Sequence, residues 1–189
     1  MEMPLYAPPM LSRPGEVMIT PWSYQSLGVP LWSSGQVPPS SVNWVTANLA
    51  IFVPFRVPEA VTFTKLFWLL GSAVAGNIDA GIYDTAGVRL VSTGSTAVGS
   101  TSRPQAVDIT DLTLARGTYY LALASDTAGA TNKLFGVAPA AGIPQALGLL
   151  QQAAAFPLAT NANPATFAAY STANVPMVGA QGYRALGPA

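Results

Sequence analysis

The chain has 189 residues, of which half are apolar and only 8% are charged, against about 25% charged residues in a typical soluble domain. That length suits one ordinary domain with room for an arm or a tail. Eight basic and eight acidic residues cannot cover a surface with charge. Either the surface is unusually apolar and rich in Ser and Thr, or other chains cover much of it. We favour the second alternative, because large exposed apolar patches usually mark interfaces.

The charge distribution argues against nucleic acid and against a membrane surface as partners. The formal net charge is zero, whereas nucleic-acid binders cluster Lys and Arg to neutralise phosphates and membrane-surface anchors are polybasic. Here the basic residues are scattered singly along the chain: Arg13, Arg56, Lys65, Arg89, Arg103, Arg116, Lys133 and Arg184. We therefore expect neither kind of partner.

Missing residue types exclude several further classes. The chain has no cysteine and no histidine, so a disulfide framework and a zinc site of the Cys/His type are excluded. The first residues have neither a basic leader nor an apolar core, which is unlike a signal peptide. No run approaches the roughly 18 apolar residues of a spanning helix. We expect synthesis in a cytoplasm, followed by use or assembly there, and we expect no cofactor.

Residues 1–44 are predicted to form an extended, proline-rich arm. Residues 1–58 hold ten of the seventeen prolines, and proline fixes φ and removes a backbone donor, which favours extended chain over packed sheet. The arm also carries large apolar residues, which disordered linkers usually lack. It could lie on its own domain or on a neighbouring subunit, and we favour the neighbour. The candidate assembly residues are Tyr6, Trp22, Tyr24, Leu31 and Trp32.

Residues 45–140 show the patterns of β-strands separated by turns. Residues 61–70 begin in apolar–polar alternation and then become apolar on both faces, as in a strand inside a core. In the next strand, alternation places Ile78, Ala80 and Ile82 on one face. A turn at residues 85–87 leads into a returning strand at residues 88–93, which predicts a hairpin. Other strands are predicted at residues 45–55, 105–109, 112–114, 118–124 and 133–138.

Short strands about ten residues apart, with glycine-containing turns and no helical crossovers, predict a mainly β fold, an antiparallel β-sandwich of jelly-roll-like type. Residues 45–140 would form its core. Residues 141–189 would add a short helix at residues 145–155, an irregular segment, and a final strand at residues 173–178 that completes the sandwich. The tail from Gly179 has the glycine and proline content of a loop.

Catalytic patterns are nearly absent, and we expect no enzymatic activity. Without His or Cys, the common nucleophile–base pairs cannot form. Lys65 is one of only two lysines and sits in the middle of a strand, so we expect it to be solvent-facing or paired. Paired carboxylates could serve glycoside hydrolysis, or strand-end acids could bind calcium; turn formation explains these residues better. The acidic candidates are Glu59, Asp79, Asp84, Asp108, Asp111 and Asp126, with Asp84, Asp111 and Asp126 expected at strand ends.

Aromatic residues allow two interpretations, a glycan-stacking platform or a core and subunit interface, and we favour the second. Alternation places Tyr119 and Tyr120 on opposite faces, so that at most one of them would face a core layer. The aromatic candidates are Trp22, Tyr24, Trp32, Trp44, Trp68, Tyr83, Tyr119 and Tyr120.

The motifs at residues 77–84, 87–94, 108–110 and 114–123 together resemble a β-sandwich module of tailed-phage virion structural proteins, such as capsid decoration proteins, head fibres and tail-fibre domains. The run Gly117–Leu123 also resembles strands of secreted carbohydrate-binding sandwiches. The resemblance implies a virion protein with copies of itself and other virion proteins as partners; the alternative is a module that binds a receptor or a glycan on the host surface. No site residue carries over, because such modules share a scaffold.

Overall fold

A computed structural model describes residues 16–19, 40–137, 143–146, 148–162, 166–170 and 175–184. This part of the chain is mainly β, with one short helix at Ile143–Ala146. The strands are β1 Glu16–Ile19, β2 Ser40–Trp44, β3 Leu49–Val57, β4 Val61–Leu69, β5 Asn77–Tyr83, β6 Arg89–Ser92, β7 Thr96–Ala97, β8 Pro104–Leu114, β9 Gly117–Ser125, β10 Gly129–Val137, β11 Leu150–Gln152, β12 Ala168–Ala169, β13 Val175–Pro176 and β14 Val178–Arg184.

The strands form three antiparallel sheets. The first sheet has the order β1-β14-β4-β8, and the second has the order β13-β10-β2. The third and largest sheet has the order β12-β11-β3-β9-β5-β6, with β7 also paired to β5. Every pairing between these strands is antiparallel, which confirms the prediction of a mainly β, antiparallel fold. The predicted hairpin is confirmed too, as β5 paired with β6.

The main apolar core receives side chains from all three sheets. Strands β3 and β5 contribute alternate residues to it, so the prediction that Ile78, Ala80 and Ile82 share one face is confirmed. The largest fully buried side chains in it include Trp68, Phe63, Ile51, Leu66 and Leu123. Burying a side chain of this size contributes about 1.5–3 kcal/mol, so this core is the chief source of stability.

Strand β4 changes the phase of its alternation at a bulge. Val61 and Phe63 point into the core, and after a register shift against β14 the inward residues are Leu66 and Trp68. Thr64 is the extra residue on β4, and such a bulge moves the following side chains to the other face. The strand therefore alternates on each side of the bulge, and beyond it both faces are apolar, with Leu66 and Trp68 buried and Phe67 and Leu69 half-buried.

A second apolar cluster covers the opposite face of the third sheet. Strand residues Phe52, Ala122 and Ala124 meet Ala155 and Leu158 from the chain that follows β11. We call residues 153–162 the covering segment. Because it lies over this face, the third sheet is buried on both sides where the covering segment crosses it.

The structure corrects the predicted C-terminal elements. The helix predicted at residues 145–155 is wrong: a helix occupies only Ile143–Ala146, and Leu150–Gln152 pair with β3 as a strand. Gly148 adopts a φ of 75°, which turns the chain between them. The predicted loop from Gly179 is also wrong, because β14 continues to Arg184.

Two glycines of β14, Gly179 and Gly182, lie very close to β4. A Cβ on Gly179 would come within 2.4 Å of the Phe67 ring, and one on Gly182 would come within 2.1 Å of the Thr62 carbonyl oxygen. Close packing on the β4 backbone thus requires glycine at position 182, and a side chain at position 179 would have to displace the Phe67 ring. Both glycines occur although glycine has a low strand propensity.

Three further strand boundaries differ from the prediction. Asn48 has a φ of 60° in a turn that separates β2 from β3, so residues 45–55 are not one strand. Strand β8 is continuous across residues 104–114, and β10 begins at Gly129. As a result Asp111 lies inside a strand and not at its end.

Within residues 1–44, the described residues form strands β1 and β2. Strand β1 pairs with β14, and β2 pairs with β10 and places Trp44 in the main core with only 3% of its surface exposed. The candidate assembly residues Tyr6, Trp22, Tyr24, Leu31 and Trp32 lie outside the described residues.

Candidate functional site

One set of polar contacts lies where the β5–β6 hairpin meets the covering segment. Ile78 and Ala80 point into the main core, so Asp79 between them points to the opposite face, where the covering segment buries it completely. One carboxylate oxygen of Asp79 accepts a hydrogen bond from the Leu158 N–H at 3.0 Å. The other accepts the Thr93 hydroxyl at 3.4 Å.

Tyr83 and Arg89 hold the carbonyl groups of the same segment. The Tyr83 hydroxyl donates to the Ala159 carbonyl at 2.6 Å, and the Arg89 guanidinium donates to the Leu158 carbonyl. The Arg89 backbone N–H donates to the Thr160 carbonyl at 2.8 Å. We call Asp79, Tyr83, Arg89 and Thr93 the Asp79 cluster. Asp79 accepts a hydrogen bond from a backbone N–H of the covering segment, and Tyr83 and Arg89 donate hydrogen bonds to its carbonyl groups. The cluster thus satisfies backbone groups of a segment that has little regular structure.

Burial sets the ionisation of this cluster. Loss of hydration raises the pKa of Asp79, and it outweighs the hydrogen bonds from Leu158 and Ser92 and the charge of Arg89, which lower it. Burial likewise raises the pKa of Tyr83 far above its ordinary value, although Arg89 opposes the shift. Tyr83 therefore keeps its proton at neutral pH and remains a donor to Ala159.

The geometry of the Asp79 cluster suits binding of the protein's own backbone better than catalysis on a substrate. A general acid or base must lie within hydrogen-bond reach of the substrate atom that it protonates or deprotonates. The side chain of Asp79 is fully buried, and its oxygens contact Leu158 and Thr93 of its own chain. Arg89 is similarly committed to Leu158 and Thr160.

A second polar network closes the turn between β9 and β10. Asp126 accepts hydrogen bonds from the Asn77 backbone N–H at 2.8 Å and from the Asn77 side-chain amide at 2.7 Å. The Thr127 hydroxyl donates to it as well, at 2.8 Å. Burial raises the pKa of Asp126, but these hydrogen bonds together outweigh burial and leave the pKa below its ordinary value. Asp126 thus lies at a strand end as predicted, but its backbone hydrogen bond joins this turn to the start of β5 and does not close a local turn.

The other predicted acids do not gather at one place. Asp84 accepts hydrogen bonds from the Ala86 and Val88 N–H groups, at 2.9 and 2.8 Å, which is the expected turn role. Asp108 forms an ion pair with Lys65 on the surface, so the expectation that Lys65 is paired is confirmed. Among the described residues, no group of three or more Asp, Glu, His or Cys side chains is placed to hold a metal ion.

Most of the aromatic candidates that the structure describes are core residues. Trp44, Trp68 and Tyr83 each expose 3% or less of their surface, so their rings cannot stack on a sugar from solvent. Tyr119 and Tyr120 lie on opposite faces as predicted, but each packs against an apolar cluster. The expectation that at most one of them faces a core layer is therefore wrong, because the covering segment creates a second apolar layer. Trp22, Tyr24 and Trp32 lie outside the described residues.

The described surface carries few large apolar side chains. Among the described residues, the only large hydrophobic side chains that are exposed are Val88, Leu90 and Tyr183. Many of the other exposed positions are Ser, Thr, Ala or Gly, as in residues 99–102. In this part of the chain, small uncharged residues and not large apolar patches replace the missing charges.

The edge of the first sheet is completed by the arm. Strand β1 pairs with β14 along four residues, from Glu16 opposite Tyr183 to Ile19 opposite Ala180. On its other side, β14 pairs with β4. A short arm segment therefore supplies the outermost strand of a sheet whose remaining strands come from residues 61–69, 104–114 and 178–184.

The sequence indicated only some of the residues in these polar clusters. Asp79 and Tyr83 were candidates, but the partners that define their roles are backbone groups some eighty residues away in the sequence, for which no side-chain pattern exists. The role of Arg89 was missed altogether. Its position two residues after Gly87, on the returning strand of a predicted hairpin, was the one available signal.

The comparisons with protein-family models, with curated proteins and with solved structures gave no match for this chain. Among the helices that the structure describes, none has the length and apolar character needed to cross a membrane.

Proposed function

We propose that this protein is a structural component of a tailed-phage particle, a capsid-decoration or fibre-type subunit that assembles through subunit and arm contacts. The observation that carries the proposal is the pairing of β1 with β14, in which an arm segment docks by adding a strand to a sheet. Strand addition is a general mode of association, because main-chain hydrogen bonds supply affinity without a preformed pocket.

The strand order supports a jelly-roll-like sandwich. Strand β3 pairs with β9, and two of the strands that lie between them in the chain, β4 and β8, pair with each other in a different sheet. Strand β5 then pairs with β9 in the sheet that contains β3. Such nested antiparallel pairs, divided between two sheets that share one core, are the pattern of a wound double-sheet fold.

A non-catalytic role is supported by what the polar residues do. Four of the six acidic candidates, Asp79, Asp84, Asp108 and Asp126, bind groups of their own chain. A glycan- or receptor-binding function has less support, since three of its aromatic candidates are buried. A glycan array with the purified protein tests that alternative directly.

The test of the proposal is the composition of particles from cells that produce the protein. We expect mass spectrometry to detect the chain in purified particles, and immunogold electron microscopy to place it on their outside. A variant that lacks residues 1–39 should fold, as judged by circular dichroism, and yet be missing from the particles. Asp108→Ala, which alters only an exposed ion pair, is the control and should be incorporated. A chain abundant in the lysate and absent from the particles would refute the proposal.

A further inference from the structure

We propose that β1 is an exchangeable strand, and that in the assembled protein the β1 of one copy pairs with the β14 edge of a second copy. This inference rests on the proposed role of the arm and names the surface that receives it. The acceptor is the edge of β14 at Ala180–Tyr183, which β1 of the same chain occupies in the structure.

The β14 edge requires a partner strand. An unpaired edge presents a row of backbone donors and acceptors, and proteins commonly protect such edges with Lys, Pro or a cover. Strand β14 contains no Lys and no Pro, and Val178, Gly179, Ala180 and Gly182 are buried. An uncovered β14 would therefore pair with any available strand, and β1 is the strand that is found there.

The pairing of β1 is short enough to be reversible. The described ladder joins only the four residues Glu16–Ile19 to β14. A four-residue ladder at a sheet edge opens much more readily than the nine-residue ladder between β3 and β9.

The connection between β1 and the rest of the chain allows the strand to reach another copy. Residues 20–39 separate β1 from β2, and covalent geometry lets a chain of that length span up to roughly 70 Å. Pairing within one copy and pairing between copies make the same β1–β14 contacts. The choice between them therefore depends on concentration: a connection of this length, treated as a free chain, corresponds to an effective concentration on the order of 1 mM, which neighbouring subunits of an assembly match.

Engineered disulfides distinguish the two pairings. The chain has no cysteine, so every disulfide that forms is an engineered one. Glu16 and Tyr183 lie directly opposite each other, where Cβ atoms are about 4.5–5.5 Å apart, close to disulfide geometry. The full-length variant Glu16→Cys with Tyr183→Cys is oxidised at several protein concentrations and analysed on a non-reducing gel.

For an exchangeable strand, the intermolecular share of the disulfides should rise from about 1% at 0.01 mM protein to about half at 1 mM, as an effective concentration on the order of 1 mM requires. A mixture of the two single variants, Glu16→Cys and Tyr183→Cys, should give heterodimers with one of each cysteine in the bond. Cysteines at Glu16 and Ser100 are the control for random collision, because Ser100 is exposed and lies outside the β1–β14 register. That control should give few cross-links.

Intramolecular disulfide alone at every concentration, with no heterodimer from the mixture, would overturn the proposal. So would the absence of any disulfide both in this pair and in a second pair, Met18→Cys with Gln181→Cys, which are also directly opposite. The cross-linking result is independent of the particle test. If the protein is found in particles but β1 never exchanges, the proposed function stands and strand exchange is refuted. If β1 exchanges but the protein is absent from particles, strand exchange stands and the proposed function is refuted.

Discussion

A single buried carboxylate joins the hairpin to the covering segment. Asp79 has no exposed surface, and the Leu158 N–H that it accepts has no sheet partner of its own. Burial of a carboxylate is costly, and hydrogen bonds offset the cost only in part, which is why its pKa is raised. What Asp79 contributes is therefore the correct placement of residues 158–161 over the second apolar cluster.

Replacing Asp79 should affect stability more than replacing an exposed aspartate. Asp79→Ala leaves the buried Leu158 N–H without an acceptor, and we expect the free energy of unfolding to fall by about 1–3 kcal/mol. Asp108→Ala removes an exposed ion pair with Lys65, and such pairs contribute about 0–1 kcal/mol. Chemical denaturation of both variants measures the difference. Equal losses would show that the buried carboxylate has no special role.

The two shifted aspartates should give opposite pH dependences. Because the pKa of Asp79 is raised in the folded protein, its contribution to stability is largest below the ordinary carboxyl pKa of about 4 and is lost as the pH rises through the folded pKa. The pKa of Asp126 is lowered, so its contribution is present above about pH 4 and is lost as the pH falls through the folded pKa. Stability should thus rise on mild acidification from neutral pH and fall again in stronger acid.

The variant Asp79→Asn tests this assignment. Its amide oxygen can still accept the Leu158 N–H but cannot titrate, so the rise on mild acidification should disappear while the fall in strong acid remains. Chemical denaturation between about pH 3 and pH 8 for wild type and variant gives the difference. An unchanged rise in the variant would assign it to another group.

At the scale of elements, the covering segment and the β5–β6 hairpin fit together with little free space. A Cβ on Gly81 would come within 2.9 Å of the Val91 carbonyl oxygen and 3.1 Å of a methyl group of Leu158. The hairpin can therefore accept the covering segment only if this position lacks a side chain. The polar bonds of the Asp79 cluster and this close apolar contact act on the same stretch of chain.

Gly81→Ala should loosen the covering segment. The added methyl group meets backbone on one side, and overpacking of this kind costs about 1–3 kcal/mol. Hydrogen exchange of the Leu158 and Ala162 amides, which bind Asp79 and Gly87 respectively, should become faster. The matched control is Gly99→Ala, whose Cβ would meet Gln105 no closer than 3.5 Å, and which should change stability by less than about 0.5 kcal/mol. Unchanged exchange in Gly81→Ala would show that the segment is held in some other way.

At the scale of the whole molecule, lack of charge decides how copies meet. The formal net charge is zero, and the described surface is rich in small uncharged residues. Like molecules therefore repel one another weakly. Neither sign of charge directs an encounter, so association depends on strand edges and on local shape.

The purified protein should self-associate at moderate concentration. Near-zero net charge promotes association, and salt should change it little, because there are few charges to screen. Sedimentation velocity over a range of protein and salt concentrations measures both effects. A clean monomer at high concentration would count against assembly as the function, and strong suppression by salt would point to an interface of charged residues.

Much of the fold could be predicted from the sequence, because it depends on residues that are close together in the chain. Alternation identified the inward face of β5, and the turn at residues 85–87 identified the hairpin, since both depend on neighbours in the chain. The absence of His and Cys excluded whole classes of site without any structure. The mainly antiparallel β class followed from these local patterns.

Only the tertiary structure decided what covers each face and where glycine is needed. Alternation shows that Asp79 and Tyr83 point away from the core, but not that residues 153–162 bury them, because that contact joins backbone groups distant in sequence. Glycine is needed at position 182 because a Cβ there would meet the Thr62 carbonyl oxygen. Local propensity predicted a helix at residues 145–155 and a loop from Gly179, whereas pairing with β3 made a strand of Leu150–Gln152 and pairing with β4 made a strand of Val178–Arg184. In each case a non-local hydrogen-bond ladder outweighed a propensity of less than about 1 kcal/mol per residue.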